Sequence, residues 1–252
     1  MAEAILAARA LHKHFGGVPA TNGVDLDVVS GEVHAVIGPN GAGKTTLIAQ
    51  LCGELAPDSG EIRFGGKVVT RLPVHRRSRL GLARSYQITS IFHELTVLQN
   101  VMLAVQAHSG HSFNVWRKAD ADDELVAPAC AVLRALELDD RADQPAGTLP
   151  HGGQRQLEIA MAMATDPKLI LLDEPMAGMG PDETARLVCV LQKLKGKLTM
   201  LLVEHDMDAV FALADRISVL VYGQIIATGS VDQIRANEAV KRAYLGEEAR
   251  HA

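Results

Sequence analysis

Residues 38–46 read GPNGAGKTT, between the apolar run Val33–Ile37 and the helix-like run Lys44–Cys52. This order of strand, glycine-rich turn and helix constrains the fold more than any other feature of the chain. Gly38, Gly41 and Gly43 let the backbone turn tightly, so that successive N–H groups converge on phosphate oxygens at a helix N-terminus. Lys44 adds a positive charge on a flexible stem for the β and γ phosphates. Thr45 offers a hydroxyl for Mg²⁺, Thr46 can reach the phosphates one step further on, and Pro39, Asn40 and Ala42 complete the loop. A strand feeding such a loop belongs to a mostly parallel α/β sheet, whose strand ends gather the ligand groups.

Two more elements follow in order. LPHGGQRQ, residues 149–156, is a glycine-rich helix start without a lysine of its own. Such a start suits a phosphate presented by another subunit. LILLDEP, residues 169–175, is a buried strand delivering two carboxylates at its end. Asp173 is placed to hold Mg²⁺, directly or through water. Glu174 is placed to polarise an attacking water as general base. His205 closes LLVEH, another strand end, where a neutral imidazole can hydrogen-bond a γ-phosphate or position water. Gln87 stands where the strand-rich half gives way to helix, and its amide can reach Mg²⁺ or water.

Around these motifs the chain divides into three textures. Residues 4–37 alternate apolar segments with GG, NG and SG turns, and GEIRFGGKVV (60–69) reads as a hairpin returning to that first, antiparallel sheet. TVLQNVMLAV and DELVAPACAVLRALEL, within residues 96–138, have helical spacing on either side of a polar loop. From residue 168 strand and helix alternate, as in a parallel sheet with covering helices. The last thirty residues read as short helices and turns. A net charge of −5 gives no reason to expect nucleic acid as a partner. The aliphatic runs fall short of the ~18 residues that span a bilayer, and the N-terminus lacks the basic start of a signal peptide. Three scattered cysteines imply no disulfide framework.

GPNGAGKTT, Gln87, LPHGGQRQ, LILLDEP and His205, in that order, resemble the ATP-binding subunits of ABC transporters over nearly the whole chain. The resemblance implies a P-loop NTPase core with a small antiparallel β-subdomain and an inserted α-helical signature subdomain. On that pattern residues 1–252 form a single ABC ATP-binding domain: 1–87 and 166–252 the RecA-like core with its β-subdomain, and 88–165 the helical signature subdomain. Residues 149–153 match the family signature, Gln87 the Q-loop and His205 the switch histidine. Phe15, in HFGG, matches the aromatic that stacks on adenine.

FGGVPATNGVDLDV, AGMGP, VEHDMDAVF and IRANEAVKRAYLG look like the branched-chain amino acid importer ATPases. The resemblance implies ATP and Mg²⁺, a second ATP-binding subunit, identical or related, and transmembrane permease subunits. It also implies a solute-binding protein acting indirectly, and a place on the cytoplasmic face of the membrane. A soluble ATPase of iron–sulfur cofactor assembly and a lipopolysaccharide-export ATPase share the same ATP motifs and stay open at this point. Pro150 replaces the signature serine, His151 the following glycine, Gly180 the D-loop aspartate and Met161 an arginine of the signature helix. The expectation is that anion binding there persists on the N–H groups of Gly152 and Gly153, with fewer contacts.

Overall fold

The computed structural model describes residues 4–85, 91–109 and 123–248. Strands β1 (Ala4–Phe15) and β2 (Val18–Val29) pair antiparallel across the Gly16–Gly17 turn. The Asn22–Gly23 pair, expected as a turn, lies within β2. Leu11 pairs with Val24 and His12 with Asn22, so Gly23, at φ 72°, is skipped as a bulge. Strand β3 (Val33–Ile37) then enters a second sheet and leads through the glycine-rich loop into α1 (Lys44–Cys52). The chain returns to the first sheet through β4 (Ser59–Phe64) and β5 (Lys67–Val68), giving the order β2-β1-β4-β5.

A short helix, α2 (Val74–Arg79), precedes β6 (Leu82–Ser85), and neither was legible in the sequence pattern. Three longer helices follow, α3 (Val97–Ser109), α4 (Asp123–Ala135) and α5 (His151–Met163). The alternating part supplies β7 (Leu169–Asp173), α6 (Pro181–Leu194), β8 (Thr199–Val203), α7 (Met207–Leu213) and β9 (Arg216–Val221). The tail is not all helix and turn. It begins with β10 (Gln224–Gly229), before α8 (Val231–Ala236) and α9 (Glu238–Glu248). QIIATG alternates exposed and half-buried positions, as an edge strand with one solvated face does.

The second sheet runs β10-β9-β3-β8-β7-β6, parallel throughout except for β10. Its central strands β3, β7 and β8 are buried at every position, so they read as continuous apolar runs. Their period of two still sorts the side chains. Ile170, Leu172, Met200 and Leu202 face the core shared with α3, α4, α5 and α6. Leu169, Leu171, Leu201 and Val203 face α1 and the first sheet. A third cluster seats α7 and α8 on Ala35, Ile37, Ile217 and Val219.

Candidate nucleotide site

Sheet register brings the motifs to one edge. Val203 of β8 lies opposite Val36 of β3 on one side and Asp173 of β7 on the other. With neighbouring strands about 4.8 Å apart, the ends of β3 and β7 stand on the order of 10 Å from each other. The next residues along these strands are Gly38 of the loop, Glu174, and Glu204 with His205. Asp173, Glu174 and His205 therefore stand at adjacent strand ends, and Thr45 follows the loop that leaves the third. Gln87 lies outside the described residues.

The glycine-rich loop is wedged between β2 and the end of β9. A Cβ at Gly38 would lie 2.0 Å from the carbonyl oxygen of Leu220, and one at Gly43 2.0 Å from that of Ala20. Gly43 also holds φ 104°, in the left-handed region. Lys44 folds back over the loop, donating from Nζ to the carbonyls of Gly38 (2.6 Å) and Pro39 (2.9 Å). Its ammonium is thereby held against the loop's own carbonyls. Ala42 is buried, Gly41, Asn40 and Thr45 are exposed, and Thr46 is half-buried. Phe15 is 55% exposed at the end of β1, with the Lys13 ammonium 5.9 Å from its ring centroid.

Asp173 is 1% exposed. Its Oδ2 accepts from Arg84 Nη2 at 2.9 Å, while its Oδ1 is buried with no hydrogen-bond partner. Burial pushes this carboxyl above the ordinary carboxylate range, against the lowering effect of Arg84. A buried carboxylate oxygen left unpartnered suits a cation or its water. The orphaned Oδ1 of Asp173 therefore fits Mg²⁺.

Glu174 occupies a left-handed backbone position, φ 47°, uncommon for a residue with a side chain. Its N–H donates to Val203 O at 2.8 Å and its carbonyl accepts from Ala177 N at 3.1 Å, closing a tight turn with Pro175 second. His205 is largely exposed, its Nδ1 3.7 Å from Glu204 Oε2. Sequence reasoning missed Glu204, which is fully buried. Its Oε1 accepts from Met176 N at 2.8 Å, and its Oε2 from His205 N at 3.0 Å and Asp206 N at 3.4 Å. Burial raises its pKa, and those N–H groups pull it back down. The available signal was an acid directly after an apolar strand.

Pro150 is the N-cap of α5, one residue outside the helix, and provides no side-chain hydrogen bond. His151, though exposed, donates from Nε2 to Ala177 O at 3.3 Å. The Gly152 N–H, expected to be open to an anion, donates to Glu183 Oε1 at 3.1 Å, and the other oxygen of Glu183 accepts from Gly180 N at 3.3 Å. Physically, a carboxylate from the first turn of α6 already meets the positive end of α5. A cleft of about 460 Å³ opens beside it, lined by Arg141, Pro150, Gly152, Gly153, Glu183 and Arg186. Gly180 caps α6 with open space around it, and Met161 packs half-buried against the larger core.

The described residues contain no helix long and apolar enough to cross a membrane. The ABC transporter family model matches residues 21–177, and the model for the branched-chain amino acid ATP-binding cassette transporter matches residues 224–250. The high-affinity branched-chain amino acid transport ATP-binding protein BraF of Pseudomonas aeruginosa is 40% identical, over 98% of this chain and all of the relative. The corresponding LivG protein of Escherichia coli is 37% identical over the same shares. Two solved ATP-binding cassettes of ABC transporters superpose closely. The ADP conformation of one has a TM-score of 0.85 at 32% identity, covering 97% of this chain and 99% of that one. A nucleotide-free cassette gives 0.83 at 31% identity, covering 96% and 99%. On these matches, this chain belongs to the ATP-binding cassette family of ABC transporters.

Proposed function

We propose that the chain is the ATP-hydrolysing subunit of an importer for branched-chain amino acids or related small polar solutes. The observation that carries this is the gathering of the phosphate loop, Asp173–Glu174 and His205 at neighbouring strand ends, in a chain 40% identical to BraF from end to end. Residues 88–165 act as the helical signature subdomain, and 1–87 with 166–252 as the nucleotide core and β-subdomain. Two subunits, identical or related, close head-to-tail over ATP, each site joining one loop of residues 38–46 to the partner's residues 150–153. Transmembrane permease subunits take up the motion at the cytoplasmic face of the membrane, and a solute-binding protein delivers the cargo to them.

Within one site, Phe15 stacks on the adenine and Lys44 leaves the carbonyls of Gly38 and Pro39 for the phosphates. Backbone N–H groups from Gly41 to Thr46 surround the phosphate oxygens. Thr45, Asp173 and Gln87 would hold Mg²⁺, which neutralises charge on the β and γ phosphates when bound. Glu174 takes a proton from the attacking water, and His205 and Gln87 orient that water and the γ-phosphate.

The test is Glu174→Gln, which keeps shape and removes the basic oxygen. ATP binding should persist while turnover falls about 100-fold or more. Unchanged turnover would place the base elsewhere. Uptake of labelled leucine by vesicles carrying the permease partners should fall in parallel.

A further inference from the structure

One face of the signature helix is fastened to the turn that carries Glu174. Residues 151 and 155 are four apart in α5 and so lie on the same side of it. His151 donates to Ala177 O at 3.3 Å. Arg155, 3% exposed, donates from Nη2 to Asp173 O at 2.8 Å and to Glu174 O at 3.2 Å. Its Nη1 meets Glu158 Oε2 at 2.6 Å, which fixes the guanidinium. These bonds take the carbonyl groups on both sides of a residue held at φ 47°. From the opposite side, Glu204 takes the N–H of Met176. Buried charges of opposite sign thus grip the turn through its carbonyls and through an N–H.

We propose that Arg155 is a positioning residue that sets Glu174 according to where the signature helix stands. The N-terminus of α5 serves the partner's ATP, whereas Arg155, one turn further on, holds the base that acts on this subunit's own ATP. A rigid shift of α5 when it engages the partner's nucleotide moves the carbonyls on which Glu174 hangs. Each ATP site of the dimer is in this way linked to the other through α5. Arg155 acts here through the backbone carbonyls of Asp173 and Glu174. The inference rests on the reading of Glu174 as base and of residues 150–153 as the trans contact.

Arg155→Met keeps bulk and removes every donor, while Arg155→Lys keeps the charge with a single donor centre. Steady-state ATPase, ATP-driven dimerisation in the Glu174→Gln background and thermal melting are measured on the full chain. Expected for Arg155→Met is a kcat at least 10-fold lower, KM for ATP within about 3-fold of the parent, and a Hill coefficient for ATP near 1. Dimerisation should need the same ATP concentration as in the parent background, and Arg155→Lys should recover part of kcat. An unchanged kcat and Hill coefficient overturn the proposal. So does a fall in kcat matched by a fall in dimerisation, because that is a general loss of structure. If Glu174→Gln alone turns over ATP normally, or does not dimerise with ATP, it is the underlying site reading that fails, whatever Arg155 does.

Discussion

Arg77 is 1% exposed, and its guanidinium donates to four backbone carbonyl oxygens. Nε donates to Leu72 O at 2.9 Å, Nη1 to Gln50 O at 2.8 Å and Leu51 O at 2.6 Å, and Nη2 to Thr70 O at 3.0 Å. Gln50 and Leu51 are in the last turn of α1, the helix that carries Lys44 and Thr45 at its other end. A cation there completes carbonyls that the helix leaves open and opposes its negative pole. Burial lowers the Arg77 pKa, so the charge is held at a cost. Arg77→Met leaves a chain of similar length without donors. Hydrogen bonds to a charged group contribute about 1.5–3 kcal/mol each, so four lost bonds amount to roughly 6–12 kcal/mol. Relief from desolving a guanidinium returns several kcal/mol of that. The expected net loss is about 3–5 kcal/mol, or a melting temperature lower by roughly 6–20 °C at about 2–4 °C per kcal/mol for a chain of this size. Thermal unfolding with and without ATP reads it, and Arg77→Lys should recover only part, since an ammonium cannot fork to four carbonyls. A melting point for Arg77→Met within 2 °C of the parent would refute the assignment of α1's end to this residue.

Asp173 and Glu204 both have carboxyl pKa values raised by burial, so the folded chain binds protons that the unfolded chain has released. Their contribution to stability is therefore most favourable at acid pH, and it falls as pH rises from the ordinary carboxylate range through the raised values. Asp173→Asn should flatten that slope in urea unfolding series and raise the stability of the nucleotide-free protein at neutral pH, while removing Mg²⁺-dependent turnover; a slope equal to the parent's counts against a buried charge there. Pro150→Ser supplies the side-chain acceptor that the N-cap of α5 lacks, and should stabilise the protein by about 1 kcal/mol in the same assay. It should also lower the ATP concentration needed for dimerisation in the Glu174→Gln background; if it does not, the hydroxyl is dispensable in this chain.

The phosphate loop, the acidic strand end and the parallel sheet were legible because each is written in adjacent residues. Val33–Ile37 and Leu169–Asp173 announce buried strands by apolar continuity, and the glycine spacing specifies the turn. What escaped was whatever depends on pairing across the chain. Leu82–Ser85 is a strand because it lies against Leu169–Leu172, not because four residues carry a pattern. Gly23 forms a bulge instead of a turn because β1 continues alongside it to Phe15. Arg84, Arg155 and Glu204 looked like ordinary charges, and their buried roles appear only once β6, α5 and β8 place them around Asp173 and Glu174.

The signature region makes the same point about departures from a family pattern. Taken singly, Pro150 and His151 change two positions expected to meet a partner's nucleotide, and Gly180 leaves out an expected cross-dimer carboxylate. In the fold they belong to one junction between α5 and the segment from Glu174 to Glu183. His151 reaches Ala177 O and lies 3.2 Å from where a Cβ at Gly178 would stand, so a larger residue at 178 and the imidazole would compete for space. Gly180 donates its N–H to the Glu183 carboxylate that also receives the Gly152 N–H. A phosphate approaching α5 from a partner meets that carboxylate first, and like charges repel unless Glu183 moves. On the proposed reading, closing the dimer therefore requires the Glu183 carboxylate to leave the N–H groups of Gly152 and Gly180, at the junction where Arg155 holds the carbonyls of Asp173 and Glu174.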